Sequence, residues 1–422
     1  MWRTMASWLM VGGIMLVLAG AGKAIADTPA ASEPAKPAAA DSQPAAAPAG
    51  WPPGFLMDIM GPGVKKPMDD LGLRMYGVVE TGFTGRLIGG DRVLPGRAYE
   101  ARRVNNLRLH QLRLILDRPY DATKTFDFGG RVEGMFGGDA MLTHSLGLFD
   151  KAGEGKGDAW ADLLQLYGQA WFKTGKESGL EVTFGKFLSP MGYESVLPEA
   201  TPLYSHAYLF TFASPTAHTG VKLNYVLNSQ ASVYFGVVEG WDVWEDNNHA
   251  PSYMVGGALA GTEQIDGHAR DNFAWCVMTG PEQPDRVSHN RTAVDLVFTH
   301  YHTAALSQTI EGNIGLEEGV PDVGYAKWYG VAHYLTYNLC KYASVTYRTE
   351  WFRDQGGSRT GVDGAWYENT LGLNVMPFPD HSVLKNLSFR PELRWDYCSE
   401  EAFGGGERHN QLTAGIDMIF KF

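Results

Sequence analysis

From Leu71 to Phe422 the chain repeats one unit, a stretch of alternating apolar and polar side chains followed by a turn or loop. In "LGLRMYGVVETGF", Leu71, Leu73, Met75, Val79 and Phe83 share one parity, opposite Arg74, Tyr76 and Glu80. "FDFGGRVEGMF" sets Phe126, Phe128, Val132 and Phe136 against Arg131 and Glu133. A period of two marks a β-strand with one apolar face. In "LRLHQLRLIL" the apolar parity slips between Leu109 and Leu112, which predicts a bulge at His110-Gln111. The final stretch "GIDMIFKF" puts Ile416, Met418, Phe420 and Phe422 on one face and predicts a strand paired to its last residue.

Between these lie "LQLYGQAWF", "LEVTFGKFL", "TGVKLNYVLN", "ASVYFGVVEG", "TAVDLVFTHYH", "LSQTIEGNIG", "WYGVAHYLTY", "ASVTYRTEWFRD", "ENTLGLNVM" and "LSFRPELRWDY". "SYMVGGALAG" and "NFAWCVMTG" alternate less sharply. The series predicts an all-β fold, a transmembrane antiparallel up-and-down barrel of about sixteen strands, each near the ~9–11 residues a tilted strand needs. Connections after the second, fourth, sixth, tenth and twelfth strands are short, whereas those after odd strands tend to be long and rich in Gly, Asp and Pro. Short periplasmic turns and long outer loops follow, with both termini on the short-turn side. A soluble β-sandwich also alternates, but it seldom needs so many strands in simple up-and-down order. Trp171, Tyr225, Trp328, Tyr347, Trp351 and Trp395, near strand ends, are expected in aromatic girdles at the two membrane interfaces.

Composition adds to this picture. Charged residues are 19% and aromatics 12% of the chain, with 51 glycines. Mean hydropathy is -0.20. The net charge of -12 argues against a nucleic-acid partner. Residues 1–26 carry a basic start, an apolar run and Ala24-Ile25-Ala26, so a cleaved signal peptide is expected. Residues 27–70 read as an Ala/Pro-rich periplasmic tether with a short amphipathic turn of helix between Trp51 and Asp70. Residues 71–422 form the barrel. Three cysteines, Cys276, Cys340 and Cys398, are too few for a disulfide scaffold and leave room for one pair.

The run "GKFLSPMGYES", "YS", "SPTAHTGVKLNYVLN", "VVEGWD" and "DNN", with "TGPEQ", "RTEWFRDQGG" and "RPELRWD" downstream, resembles the beta-barrel porin-2 (OmpL-like) family. That resemblance spans most of the chain from Leu71 to Phe422. It implies an outer-membrane channel and supplies no catalytic residues.

The charges opposite the apolar parity are the candidate site. Arg74, Arg108, Arg131, Arg348, Arg390 and Arg394 are expected to face the lumen, interleaved with Glu80, Glu133, Glu350, Asp354, Glu392 and Asp396. On the lipid face near midplane an Arg or Lys costs about 2–4 kcal/mol. If the first and last strands pair, these arginines form one wall. The longest connection, Ser189 to His218, is apolar in part and is expected to fold inward as a constriction. Its Glu194 and Glu199 would face Arg131, Arg348 and Arg394 across a gap, setting up a transverse field that selects solutes. A ladder of ion pairs that stiffens the barrel is the plainer account of the same residues.

No GxSxG, HExxH, P-loop or CxxC motif is present. His300 and His302 could reach one metal from one strand face, yet two ligands without a third fit interfacial aromatics better. The chain therefore reads as a non-enzymatic porin without cofactor or metal, a passive diffusion channel for small hydrophilic solutes. A barrel-anchored enzyme, adhesin or structural protein is the alternative. Expected partners are the solutes, outer-membrane lipid and the barrel assembly machinery through Phe422, and self-association is left open.

Overall fold

The computed structural model describes residues 55–89, 91, 93–99, 104–150 and 159–422. The expected signal peptide and most of the expected Ala/Pro-rich tether lie outside them. Among the described residues two short helices come first, α1 (Phe55–Ile59) and α2 (Pro62–Asp70). Met57 of α1 is buried, and its sulfur accepts the Met75 N–H at 3.4 Å, fastening the helix to the start of the first strand.

Strands follow in the order β1 (Arg74–Ile88), β2 (Leu107–Arg118), β3 (Phe126–Gly137), β4 (Trp160–Lys173), β5 (Gly179–Leu188), β6 (Ala217–Asn228), β7 (Ala231–Val238) and β8 (Ser252–Ala260). After the two-residue pieces β9 (Gln264–Ile265) and β10 (His268–Ala269) come β11 (Asp271–Pro281), β12 (Asn290–Tyr301), β13 (Leu306–Val320) and β14 (Gly324–Cys340). The last four are β15 (Ala343–Gln355), β16 (Gly364–Val375), β17 (Leu387–Cys398) and β18 (Asn410–Lys421). All but β9 and β10 close into one antiparallel barrel, each paired with its neighbours in sequence and β1 with β18. Closure removes every unpaired edge, which a lipid-exposed sheet requires.

The seam reaches the end of the chain. Gly77 N–H donates to the Phe422 carbonyl at 2.7 Å and Phe422 N–H to the Gly77 carbonyl at 2.8 Å. The Phe422 ring covers Gly77 so closely that a Cβ there would lie 2.4 Å from it. The expected bulge is also present: Glu80 pairs with Gln111 and Thr81 with Leu109, so His110 has no opposite residue. The slip turns both His110 and Gln111 into the barrel, where each is buried.

Outward positions are apolar and exposed, such as Leu114, Val132, Phe235 and Ile416. Inward positions carry the charges. Two of the six girdle aromatics depart from expectation, because Trp171 and Trp328 point inward and are buried. Trp328 alternates with Tyr329 in a strand whose two faces are both apolar, so parity could not decide between them. Tyr225, Tyr347, Trp351 and Trp395 lie on the outer face.

Three connections break the expected lengths, one of them residues 376–386 on the short-turn rim, a long link that contains the 3-10 turn Leu384–Asn386. Residues 321–323, on the long-loop rim, form a tight turn closed by Val323 N–H on the Val320 carbonyl. On the short-turn rim, residues 261–270 are lengthened by the β9–β10 pair, turned by Asp266 and Gly267 at φ 48° and 80°. Asp-Gly suits this turn because both central residues need positive φ. The three cysteines are free, with Cys276 and Cys398 buried and Cys340 exposed on the short-turn rim.

Candidate functional site

Residues 189–216, between β5 and β6, run inside the barrel. Their partners are inward side chains of strands from both ends of the chain. Leu203, Tyr204, Tyr208, Leu209 and Phe210 are buried. An irregular segment at membrane depth must have its backbone groups satisfied by protein. Here the charged wall satisfies them.

Glu350 accepts the N–H groups of Tyr208 and Leu209 at 2.6 and 2.7 Å. Glu392 accepts Ser205 N–H at 3.0 Å. Arg348 donates to the Ser205 carbonyl at 2.6 Å and Arg394 to the His206 carbonyl at 2.5 Å. Arg390 donates to the carbonyls of Pro198 and Thr201 at 2.8 and 2.9 Å. The bulge completes the set: Gln111 donates to the Val196 carbonyl at 2.8 Å, and His110 Nε2 meets the Tyr204 hydroxyl at 2.8 Å.

The loop carboxylates close directly onto the wall. Glu194 pairs with Arg348 at 2.6 Å, and Glu199 pairs with Arg113. The expected gap between loop acids and arginines is therefore absent, and the transverse field across it is not formed by these residues. The physical reason is the backbone: the wall must come within hydrogen-bond distance to satisfy it, which brings the carboxylates into contact too. Burial alone would raise both carboxyls. Arg348 and His206 around Glu194, and Arg113 and Lys421 around Glu199, outweigh it and hold both below the usual carboxylate range.

The arginines are also paired within the wall. Arg390 binds Asp417 at 2.5 Å and Glu80 at 3.2 Å. Arg348 binds Glu368 at 2.5 Å, Arg394 binds Asp396 at 2.8 Å, and Arg113 binds Glu133 at 2.7 Å. Arg131 lies apart from the segment, on the Tyr76 hydroxyl at 3.1 Å and near Asp117 at 3.4 Å. Arg74, half exposed at the short-turn end, pairs with Asp117 at 2.7 Å. Arg108 is half-buried toward the other end of β2, its carbonyl holding the Thr81 hydroxyl at 2.7 Å. Asp354 takes the N–H groups of Arg359 and Thr360 in the next loop at 3.0 and 2.7 Å.

Space for the segment comes from glycines on the inner wall. A Cβ on Gly372 would sit 2.5 Å from Leu203, and one on Gly82 or Gly415 would come within 2.7 or 3.0 Å of Tyr204. Reading the sequence missed Arg113, Glu368 and Asp417. The parity after the His110 bulge places Arg113 inside, and simple alternation with neighbouring leucines was its signal. Arg97, which binds Asp396 at 2.5 Å from residues 89–106, had no periodic signal at all. His300 and His302 face outward at the short-turn rim, ring centroids 4.5 Å apart, with His300 on Asp271 at 2.7 Å. Among the described residues no three potential ligands gather around a metal position.

A closed sixteen-strand barrel with an apolar outside and a charged, partly filled inside is the architecture of outer-membrane porins. The model of the family described as "Putative beta-barrel porin-2, OmpL-like" matches residues 72–422, and the chain belongs to that family. Solved structures share the fold at low identity. The outer-membrane channel DcaP of Acinetobacter baumannii is 11% identical, with 83% of this chain and 97% of that one covered and a TM-score of 0.54. The anion-selective porin from Comamonas acidovorans is 12% identical over 83% and 99%, TM-score 0.53. The trimer form of OmpT from Vibrio cholerae is 11% identical over 83% and 99%, TM-score 0.53. No curated protein matches the chain.

Proposed function

We propose that this porin is a passive channel for small hydrophilic solutes, with residues 189–216 as the element that narrows it. The observation that carries this reading is the segment's attachment inside the barrel, where its backbone and carboxylates bind β15, β17 and β2. A barrel of about sixteen strands otherwise leaves an aqueous lumen. Arg74 and Arg131, which bind Asp117 rather than the segment, are basic groups placed to bias passing ions. Arg348, Arg390 and Arg394 act by holding the segment. Long loops face outward, short turns face the periplasm, and Phe422 presents the terminal aromatic to the assembly machinery.

The test is conductance in planar bilayers. Deleting Glu194 to Tyr208 should raise single-channel conductance several-fold in a barrel that still shows heat-modifiable migration. Unchanged conductance in such a barrel would reassign the segment to a purely structural role.

A further inference from the structure

Toward the long-loop rim, two arginines outside the charged wall meet around a pair of buried tryptophans. Arg291, at the start of β12, has the inward parity of Ala293 and Asp295. Arg359 comes from the loop after β15, residues 356–363. Its backbone N–H is fixed on Asp354 at 3.0 Å, and its Nε donates to the Phe212 carbonyl at 2.5 Å, which bends the side chain in over the segment. Trp241, from the loop after β7, and Trp328 on β14 have ring centroids 6.2 Å apart and planes crossed at 77°. The Arg291 guanidinium lies 4.8 Å from the Trp241 ring centroid. That of Arg359 lies 5.6 Å from Trp241 and 4.9 Å from Trp328.

The acids nearby are committed elsewhere. Glu317 takes Arg291 at 2.7 Å and the Gln283 amide at 2.5 Å. Glu282 takes the Trp241 N–H at 2.9 Å and the Ser252 hydroxyl at 2.7 Å. Asp354 binds the backbone of Arg359 rather than its guanidinium. The two terminal nitrogens of Arg359 consequently make no hydrogen bond among the described residues, and the side chain stays half-buried rather than sealed. Arg291 Nε is buried without an acceptor. Burial and, next, the Arg291 guanidinium push Arg359 down to about 10, so the two cations act on each other and both stay charged at neutral pH. A guanidinium held against an indole with the end of its planar fork unpaired is preorganised for two oxygens of one anion. We propose that Arg359, with Arg291 beside it, docks the oxyanion group of an entering solute, a carboxylate, sulfate or phosphate. Lipid does not supply that group, because Arg291 and Trp328 face the lumen. The inference rests on the channel reading and names the class of solute that the long-loop mouth selects.

The test uses the full chain and two independent readings. In mild detergent, millimolar potassium sulfate should raise the temperature at which heat-modifiable migration is lost, compared with potassium chloride of equal ionic strength. Arg359→Gln should abolish that difference. The general stabilising effect of sulfate is common to both proteins and drops out of the comparison. Arg359→Lys keeps the charge and loses the fork, so it should need about tenfold more sulfate for half the effect. It also carries the comparison if the glutamine variant fails to fold. In planar bilayers, sulfate added on the long-loop side should reduce the chloride-carried current saturably in the native barrel and not in Arg359→Gln. Equal protection in the native and variant barrels, or full protection with lysine, would overturn the assignment. Sulfate protection in a barrel that passes no current would sink the channel reading and keep the site. A steady current that sulfate does not touch would sink the site and keep the channel.

Discussion

Two walls of the same barrel face the lumen with opposite chemistry. Strands β15 to β18, β1 and β2 present Arg348, Glu350, Glu368, Arg390, Asp417 and Arg113, all buried and all bonded. Strands β7, β8 and β11 present Tyr234, Val238, Met254, Ala258, Cys276 and Met278, with no ionic side chain at an inward position. Residues 189–216 lie between them. Their backbone is bound by the first wall, while Met191, Tyr208, Leu209 and Ala213 join one apolar cluster with Tyr234, Met254 and Met278 of the second. The difference teaches what each kind of contact requires. Where irregular backbone must be held, charged side chains supply donors and acceptors. Where side chain meets side chain, packing alone suffices.

The comparison can be broken most forcefully at Arg390. Its removal as Arg390→Ala strands Asp417, takes one partner from Glu80 and frees the carbonyls of Pro198 and Thr201. Loss of one partner in such a buried set costs about 3–5 kcal/mol. The unfolding temperature in a gel-migration assay should fall by many degrees, and no shift would mean the wall is not what holds the segment.

Gly372→Val and Gly415→Val test the seat directly. Each new side chain would meet Leu203 or Tyr204, at an overpacking cost of about 1–3 kcal/mol. Limited proteolysis should then cut within 189–216, whereas Gly312→Ala, which points into open space, should leave the pattern intact. If all three variants resist equally, the segment is not seated on those glycines.

Acid offers a milder probe. Glu194 and Glu199 titrate below their ordinary range when docked, so their stabilising effect is complete above the unfolded pKa and lost as pH falls through the lowered folded value. Conductance should hold steady through about pH 5 to 4, where free carboxyls protonate, and change only below. A jump inside that window would show that the arginines do not hold the two acids down. The smallest effect belongs to the second wall: Met278→Leu conserves volume and should cost less than about 1.5 kcal/mol, with an unchanged reversal potential.

The same contrast explains what could be read from sequence. Wherever the lumen face is charged, alternation is sharp, and β1, β3, β15 and β17 stand out. Where the lumen face is apolar, both parities look alike, so "SYMVGGALAG" and "NFAWCVMTG" alternate poorly although β8 and β11 are ordinary barrel strands. Trp328, expected in the outer girdle, faces inward for the same reason. The inward course of residues 189–216 was legible in its apolar content. Its pairing was not, because which carboxylate meets which guanidinium depends on the path of a segment with no period. Arg113 illustrates the intermediate case, a residue whose direction hinges on one bulged position at His110.

The β1–β18 seam has a consequence for biogenesis. Every other barrel pairing joins strands adjacent along the chain, apart from the short β9–β10 insertion between β8 and β11, whereas Gly77 must find Phe422 across nearly the whole sequence. Such a contact carries the highest loop-closure entropy in the molecule and can form only after β18 has been made. Until then the growing sheet has two open edges, each a template for pairing with a stranger. The nascent protein therefore needs escort during exactly that interval, and a chain truncated before β18 would have no way to end it.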